Sequence, residues 1–88
     1  MPDPTDTITL RLHGILQDVV GEHTLPVSTD DRSITPNEVF ELAILQHPGL
    51  AEYRNTVAFG SDQEVIPADH VIPPVVRIIE VLPPVSGG

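Results

Sequence analysis

The sequence predicts a single α+β domain, in which helices pack on one face of a β-sheet. Three observations lead to this prediction. Residues 7–12 alternate between apolar and polar side chains, two stretches carry apolar residues at helical spacing, and residues 75–82 are apolar on both faces. The chain has 88 residues, which is enough for one hydrophobic core but near the lower end of that range.

The first half of the chain predicts a strand, a helix and a second strand. The alternation in "TITLRL" (7–12) is typical of a half-buried strand. "ILQDVV" (15–20) follows at helical spacing, and Gly21 suits the end of a helix. "EHTLPV" (22–27) predicts a second short strand, and "STDDRS" (28–33) predicts a loop.

The clearest local signal is a second helix in "TPNEVFELAILQHPG" (35–49). Thr35 suits the N-cap, Pro36 suits the first helical position, and Glu38 completes a capping box. Pro48-Gly49 should end the helix. One stripe of this helix is predicted to carry Val39, Phe40, Ala43 and His47, with His47 serving in packing or lying at the surface rather than binding a metal.

The last part predicts a hairpin and a final strand. "TVAFG" (56–60) and "QEVI" (63–66) flank the turn residues Gly60-Ser61-Asp62. A strand apolar on both faces, such as 75–82, is usually central and covered on both sides. Two helices on one face would leave Ile78 and Leu82, or their opposite-face neighbours, partly exposed as a partner surface. The alternative is that loops cover them.

Composition excludes several classes of function. The 13 acidic and 4 basic residues give a net charge of −9, and there is no Cys, no Trp and one Tyr. Disulfides, thiolate metal sites and a Cys nucleophile are therefore excluded, and nucleic acid is not an expected partner. An acidic surface favours a basic partner surface, or serves solvation alone. The opening "MPDPTDT" (1–7) is polar and acidic and does not resemble a signal peptide, and no apolar run has membrane-spanning length. We therefore expect a cytoplasmic protein without a membrane partner.

The sequence shows no self-contained active site. The histidines at 13, 23, 47 and 70 lack metal-ligand spacing, so no metal site is expected. The glycines are dispersed and form no phosphate-binding loop, and the serines lack a nucleophile-elbow context. We therefore expect a protein that is not itself catalytic.

The tail, "PPVSGG" (83–88), is the remaining candidate. Two prolines can neither continue a helix nor donate to a sheet ladder, which predicts a stiff, extended exit from the strand. The side chains then shrink to none at Gly87-Gly88, which suits passage through a narrow channel. The α-carboxylate of Gly88 is then the accessible reactive group. The alternative is a frayed terminus.

The tail and three further stretches resemble the small subunit of molybdopterin synthase, a ubiquitin-like sulfur carrier with a C-terminal Gly-Gly. "LRLHGILQDVVG" (10–21) is similar to the first strand and helix of that family. "TPNEVFELAILQHPGLAEY" (35–53) is similar to its second helix, and "QEVIPADHVI" (63–72) to the segment before its last strand. The resemblance covers nearly the whole chain from about residue 7, and "PPVSGG" is its most specific part.

The resemblance implies a β-grasp fold, with a mixed sheet of four to five strands and two helices on one face. The domain would span 1–82, with 1–6 as a flexible arm, and the tail would span 83–88. An ATP-dependent ubiquitin-activating-type adenylyltransferase would adenylate Gly88, and sulfur would replace the AMP to leave a thiocarboxylate. The large subunit of molybdopterin synthase would accept the tail and pass the sulfur to a pterin precursor of the molybdenum cofactor.

In that family-based interpretation no cofactor is bound, because the acyl-adenylate and the thiocarboxylate are covalent intermediates at Gly88. Gly87 permits threading, and the stiff neck comprises Pro83, Pro84, Val85 and Ser86. The predicted partner interface comprises Arg11, His13, Ile78 and Leu82.

Two positions depart from the family pattern. His13 stands where relatives commonly carry an aromatic residue, so the docking surface should be weaker or pH-sensitive. Pro73-Pro74 replaces a Gly-Asp turn, so the approach to the last strand should be stiffer.

Two other functions fit the same sequence. A ubiquitin-like modifier joined to lysines of other proteins, as the archaeal small modifier proteins are, has the same ending and an acidic surface. A plain β-grasp interaction module, with an incidental Gly-Gly, would bind its partner without the last two residues. A carrier for thiazole or cysteine synthesis fits less well, because those tails generally lack the Pro-Pro neck.

Overall fold

The computed structural model describes residues 6–29, 33–62 and 64–83. Within them, no helix is long and apolar enough to span a membrane. The elements in chain order are β1 (Asp6–Leu12), α1 (Ile15–Val20), β2 (Thr24–Thr29), α2 (Pro36–Gln46), a 3-10 helix (Pro48–Tyr53), β3 (Ala58–Ser61), β4 (Glu64–Ile66) and β5 (Ile78–Leu82).

The five strands form one mixed sheet in the order β2-β1-β5-β3-β4. β5 is the last strand in the chain, yet it lies in the centre of the sheet. It pairs in parallel with β1, with Leu10 opposite Ile79 and Arg11 opposite Glu80. It pairs antiparallel with β3 on its other side. The prediction that the last apolar strand is central is confirmed.

The helices cover one face of this sheet, as predicted. Alternate residues of β5 face them, and Ile79 and Val81 are fully buried. Phe40 of α2 meets Phe59 of β3 edge-on, with ring centroids 6.0 Å apart, which is a favourable aromatic geometry. The core comprises Ile8, Leu10, Leu12, Leu16, Leu25, Val27, Ile34, Val39, Phe40, Ala43, Ile44, Leu50, Phe59, Ile72, Ile79 and Val81.

The capping box at the start of α2 is confirmed. The Glu38 N–H donates to Thr35 Oγ1 at 3.1 Å, and the Thr35 N–H donates to Glu38 Oε1 at 2.9 Å. These bonds satisfy backbone donors that the first helical turn leaves unpaired. Pro36 occupies the first turn and is buried.

The C-terminal end of α2 differs from the prediction in two details. His47, expected on the same stripe as Val39 and Phe40, is the half-buried C-cap that follows the helix, and Ile44 is buried in the core although it was not predicted on that stripe. Pro48 ends α2 as predicted but also begins the 3-10 helix, which buries Leu50. Proline is compatible with the first position of such a helix because its fixed φ matches and its missing N–H has no partner there.

Strand boundaries also differ from the prediction. β3 spans Ala58–Ser61 rather than 56–60, so Gly60 and Ser61 of the predicted turn belong to the strand. β2 begins at Thr24 and extends to Thr29, so the first two residues of the predicted loop belong to the strand; residues 30–32 lie outside the described residues. β5 begins at Ile78 rather than at 75, because the Val76 N–H donates to the Pro73 carbonyl at 2.9 Å and closes a turn. A hydrogen bond between the first and fourth residues of a segment, here Pro73 and Val76, is typical of a β-turn.

Both edges of the sheet carry features that prevent pairing with another strand. The Leu12 N–H donates to the His23 carbonyl, so these two residues form a hydrogen-bonded pair of the antiparallel ladder. Hydrogen-bonded and non-hydrogen-bonded pairs alternate in such a ladder, which makes Thr9–Pro26 a pair without cross-strand hydrogen bonds. The outer edge of β2 therefore lacks a donor at Pro26. β4 is short and is followed by Pro67.

Candidate functional site: an open sheet face beside the tail exit

The sheet face opposite the helices is partly apolar and exposed. Ile78 and Leu82 alternate along β5 with the buried Ile79 and Val81, and they remain 42% and 39% exposed. The loops that the structure describes therefore do not cover them. We call the surface formed by Arg11, His13, Ile78, Glu80 and Leu82 the open face.

Glu80 is the polar centre of the open face. Arg11 Nη1 donates to Glu80 Oε2 at 2.8 Å, and His13 Nε2 lies 2.5 Å from Glu80 Oε1. The parallel register explains the first contact, because Arg11 and Glu80 are direct neighbours on β1 and β5. One carboxylate thus contacts both an arginine of the adjacent strand β1 and the histidine that follows that strand.

The four predicted interface residues therefore lie together. Arg11 and His13 meet at Glu80, between Ile78 and Leu82. Their role as a partner interface stays a prediction. Glu80 itself was missed, although its place between two exposed apolar residues of a strand was a usable signal.

A shallow cavity of about 160 Å³ lies next to Leu82 on the open face. Gly60 of β3 is opposite Glu80, and its missing side chain leaves this space open. A Cβ at Gly60 would lie 3.1 Å from the Glu64 carbonyl oxygen, so the strand pairing itself favours glycine here. Val65, paired with Gly60 and 77% exposed, also lines the cavity. Sequence reasoning placed Gly60 in a turn and gave neither Gly60 nor Val65 a role in a site.

The chain leaves the sheet next to His13. Because β1 and β5 run parallel, both end at the same side of the sheet, where β1 turns into α1 and β5 continues into Pro83. Pro83 is half-buried against the turn at Gly14. The remaining tail residues, Pro84, Val85, Ser86, Gly87 and Gly88, lie outside the described residues, so the predictions made for them stay predictions.

The other ion pair of interest lies away from this site. Arg54, just after the 3-10 helix, donates to both carboxylate oxygens of Glu41 on α2, at 2.7 and 2.9 Å. The hydrogen bond and charge of Glu41 raise the pKa of Arg54 above its usual value. Among the residues with described positions, no cluster of His, Asp and Glu could hold a metal ion.

Comparison with known proteins supports the fold. No protein-family profile matches the sequence, and no curated protein is significantly similar to it. The crystal structure of SAMP1 from Haloferax volcanii superposes with a TM-score of 0.76 at 20% identity, covering 94% of this chain and all of that one. A second crystal structure of H. volcanii small archaeal modifier protein 1 gives a TM-score of 0.75 at 18% identity and covers 90% of this chain and 98% of that one.

A solution structure of small archaeal modifier protein 1 from Methanosarcina acetivorans is also similar. Its TM-score is 0.71 at 18% identity, with 96% of this chain and 98% of that chain covered. Likeness at this level of identity concerns the backbone arrangement, which agrees with the strand order and the single helical layer described above. This chain therefore has the ubiquitin-like β-grasp fold.

Proposed function

We propose that this protein is a ubiquitin-like sulfur carrier and acts as the small subunit of molybdopterin synthase. The observation that carries the proposal is the place where the tail begins, at the end of the central strand. The central strand β5 runs directly into "PPVSGG", and it does so beside an exposed, partly apolar face. A partner that contacts Ile78 and Leu82 is thereby placed next to the root of the tail.

The proposed chemistry uses one group of this chain, the carboxylate of Gly88. A carboxylate oxygen attacks the α-phosphorus of ATP, pyrophosphate leaves, and an acyl-adenylate forms on the activating enzyme, the adenylyltransferase. Hydrosulfide, or an equivalent sulfur donor, then attacks the acyl carbon and AMP leaves. The product is a thiocarboxylate, a soft nucleophile that the large subunit can direct at its pterin substrate.

In this proposal the protein provides the acyl group and the docking surface, and its partners provide the catalytic groups. The sequence contains no Cys and no Lys, so no side-chain thiol or primary amine of the chain can intercept the activated Gly88. The net charge of −9 favours a partner surface that is basic around an apolar centre. The activating enzyme and the large subunit would use the open face in turn.

Mass spectrometry tests the proposal. Full-length protein is incubated with the activating enzyme, ATP and sulfide, and is compared with a variant lacking Gly88. We expect sulfur to replace one oxygen at the C-terminus of the full-length protein alone, and only that protein should support cofactor synthesis with the large subunit. An unmodified full-length protein, or cofactor synthesis by the variant, would contradict the proposal.

A second candidate function is modification of other proteins through Gly88. The similar solved structures are of proteins named small archaeal modifier proteins, which favours this candidate. Here a lysine amine of a target attacks the acyl-adenylate, AMP leaves, and an isopeptide bond forms.

Arg77 is the last tryptic site of the sequence, so a modified lysine would keep the remnant "IIEVLPPVSGG" (78–88) after digestion. Finding this branched peptide in cell extracts would support the modifier function. If the extract contains this protein with a C-terminal thiocarboxylate but no branched peptide, the modifier function is contradicted.

A further inference from the structure

We propose that the shallow cavity at Gly60 is a socket for one apolar side chain of a partner protein, and that basic residues flank this side chain on the partner. Val65 and Leu82 form the apolar walls of the socket. The identity of the partner, as the activating enzyme or the large subunit, rests on the proposed function. The socket itself does not.

The socket is a gap in a row of side chains that crosses the whole sheet. The strand registers place one residue of each strand in this row, in the order Thr24, Arg11, Glu80, Gly60 and Val65. Gly60 has no side chain, so the row is interrupted between Glu80 and Val65. Gly60 itself is buried at the floor of the gap.

Neighbouring side chains do not fill this gap. Among the described residues, only the carbonyl group of Glu64 comes within 4 Å of a Cβ built at Gly60, apart from the two chain neighbours of the glycine. The cavity has a volume of about 160 Å³, and an apolar protein cavity of about 150 Å³ is large enough for a benzene ring. The socket therefore has the size of one leucine, methionine or phenylalanine side chain.

The charges around the socket indicate what flanks the inserted side chain. Asp62 and Glu64 are exposed and belong to the hairpin that carries Gly60, and neither forms an ion pair with a residue that the structure describes. Two such carboxylates on a chain of net charge −9 favour arginine or lysine on the surface that covers them. The same charge disfavours a second copy of this chain as the occupant.

Val65→Phe should close the socket from within the chain. The Thr9 N–H donates to the Arg77 carbonyl at 2.8 Å, and peptide groups alternate in direction along a strand, so those of Glu80 point toward Gly60. Gly60–Val65, on the other side of β3, is then a non-hydrogen-bonded pair, in which side chains lie closest. The introduced ring can therefore lie over the glycine, and such cross-strand pairs of an aromatic residue with glycine are stabilising.

Val71→Phe is the matched control. Val71 is 55% exposed and does not line the cavity. The next residue, Ile72, donates its N–H to the Ile34 carbonyl at 2.9 Å, so this valine belongs to a loop that is bound near the start of α2. The substitution adds the same ring to the surface without closing the socket.

Nuclear magnetic resonance shows whether the ring fills the gap. In Val65→Phe we expect nuclear Overhauser effects between the introduced ring and the Gly60 Hα protons, together with an upfield shift of those protons. The midpoint of thermal unfolding should be no lower than that of the wild type. A folded variant without these Overhauser effects overturns the proposed geometry.

Short peptides test the occupant without any partner protein. The wild-type protein is titrated, at millimolar concentrations, with three tripeptides that are acetylated and amidated: Arg-Phe-Arg, Arg-Ala-Arg and Glu-Phe-Glu. We expect Arg-Phe-Arg to shift the amide signals of Gly60, Val65 and Leu82. The second peptide lacks the apolar group and the third lacks the complementary charge, so both should shift these signals much less. Val65→Phe should abolish the response to Arg-Phe-Arg, and Val71→Phe should keep it. Equal shifts with all three peptides, or none with Arg-Phe-Arg, overturn the inference.

Binding to the activating enzyme and to the large subunit provides the functional readout. In calorimetry, Val65→Phe should weaken the binding of at least one of them by about tenfold to a hundredfold, which is the contribution of one buried apolar side chain. Val71→Phe should bind like the wild type. A Val65→Phe variant that binds both proteins as tightly as the wild type overturns the inference. If the wild-type protein binds neither, the proposed function fails, while the peptide titration still decides the role of the socket.

Discussion

The apolar part of the open face should contribute measurably to the binding of the activating enzyme. The size of this contribution to the binding free energy can be estimated from the exposed fractions of two side chains. Ile78 is 42% exposed and Leu82 is 39% exposed. Full burial of such a side chain contributes about 1.5–3 kcal/mol, so covering the exposed two-fifths of each is worth about 1 kcal/mol. Replacing both by Ala should therefore weaken docking by about 2 kcal/mol, which is about 30-fold in affinity.

The assay is steady-state release of pyrophosphate by the activating enzyme, with this protein as the varied substrate. We expect Ile78→Ala/Leu82→Ala to raise KM by about 30-fold at nearly constant kcat, because the tail is untouched. The domain should remain folded, since Ile79 and Val81 still fill the core side of β5. Circular dichroism verifies this.

Leu45→Ala is the matched control. Leu45 is 78% exposed but belongs to α2, on the helical side of the sheet, so its truncation removes apolar surface outside the open face. KM should stay within about twofold of the wild-type value. A double variant that behaves like the wild type, or a Leu45→Ala variant with an equally raised KM, refutes the assignment of the open face as the docking surface.

Three further predictions concern the elements that hold the site in place. Thr35→Ala should lower the free energy of unfolding by about 1 kcal/mol and Tm by about 4–8 °C in thermal denaturation, while Thr35→Ser, which keeps the capping oxygen, should not. Phe40→Ala empties a fully buried position beside Phe59, so urea denaturation should show a loss of about 3–5 kcal/mol, and a loss below about 1 kcal/mol would contradict the described core. Glu80→Gln should change stability by less than about 1 kcal/mol in the same assay, because the side chains of Arg11, His13 and Glu80 all remain partly exposed to solvent. A much larger loss would mean that the ion pairs hold the sheet together.

The elements that the sequence predicted well are those that local chemistry determines. The start of α2 depends on Thr35, Pro36 and Glu38, which are adjacent in the chain and satisfy one another's hydrogen bonds. β1 depends on an alternation that is visible within a few residues. Gly21 ends α1 in the left-handed conformation that glycine adopts readily.

The features that were missed depend on contacts between distant parts of the chain. Glu80 becomes the centre of the open face because the parallel register places it beside Arg11, and no local pattern specifies that register. The contact of Gly14 with Pro83 likewise requires that β1 and β5 end together. The start of β5 was placed too early, because its apolar approach contains the Pro73–Val76 turn and apolar character alone does not separate a strand from a turn.

The most direct test of the account is the chemical state of Gly88. Trypsin releases the last strand and the whole tail as one peptide, 78–88, because Arg77 is the final basic residue of the sequence. After incubation with the activating enzyme, ATP and sulfide, tandem mass spectrometry should find sulfur in place of one oxygen of that peptide, located at Gly88. The account is contradicted if pyrophosphate has been released but the peptide keeps both oxygens of its C-terminal carboxylate. It is also contradicted if the sulfur lies on any residue other than Gly88.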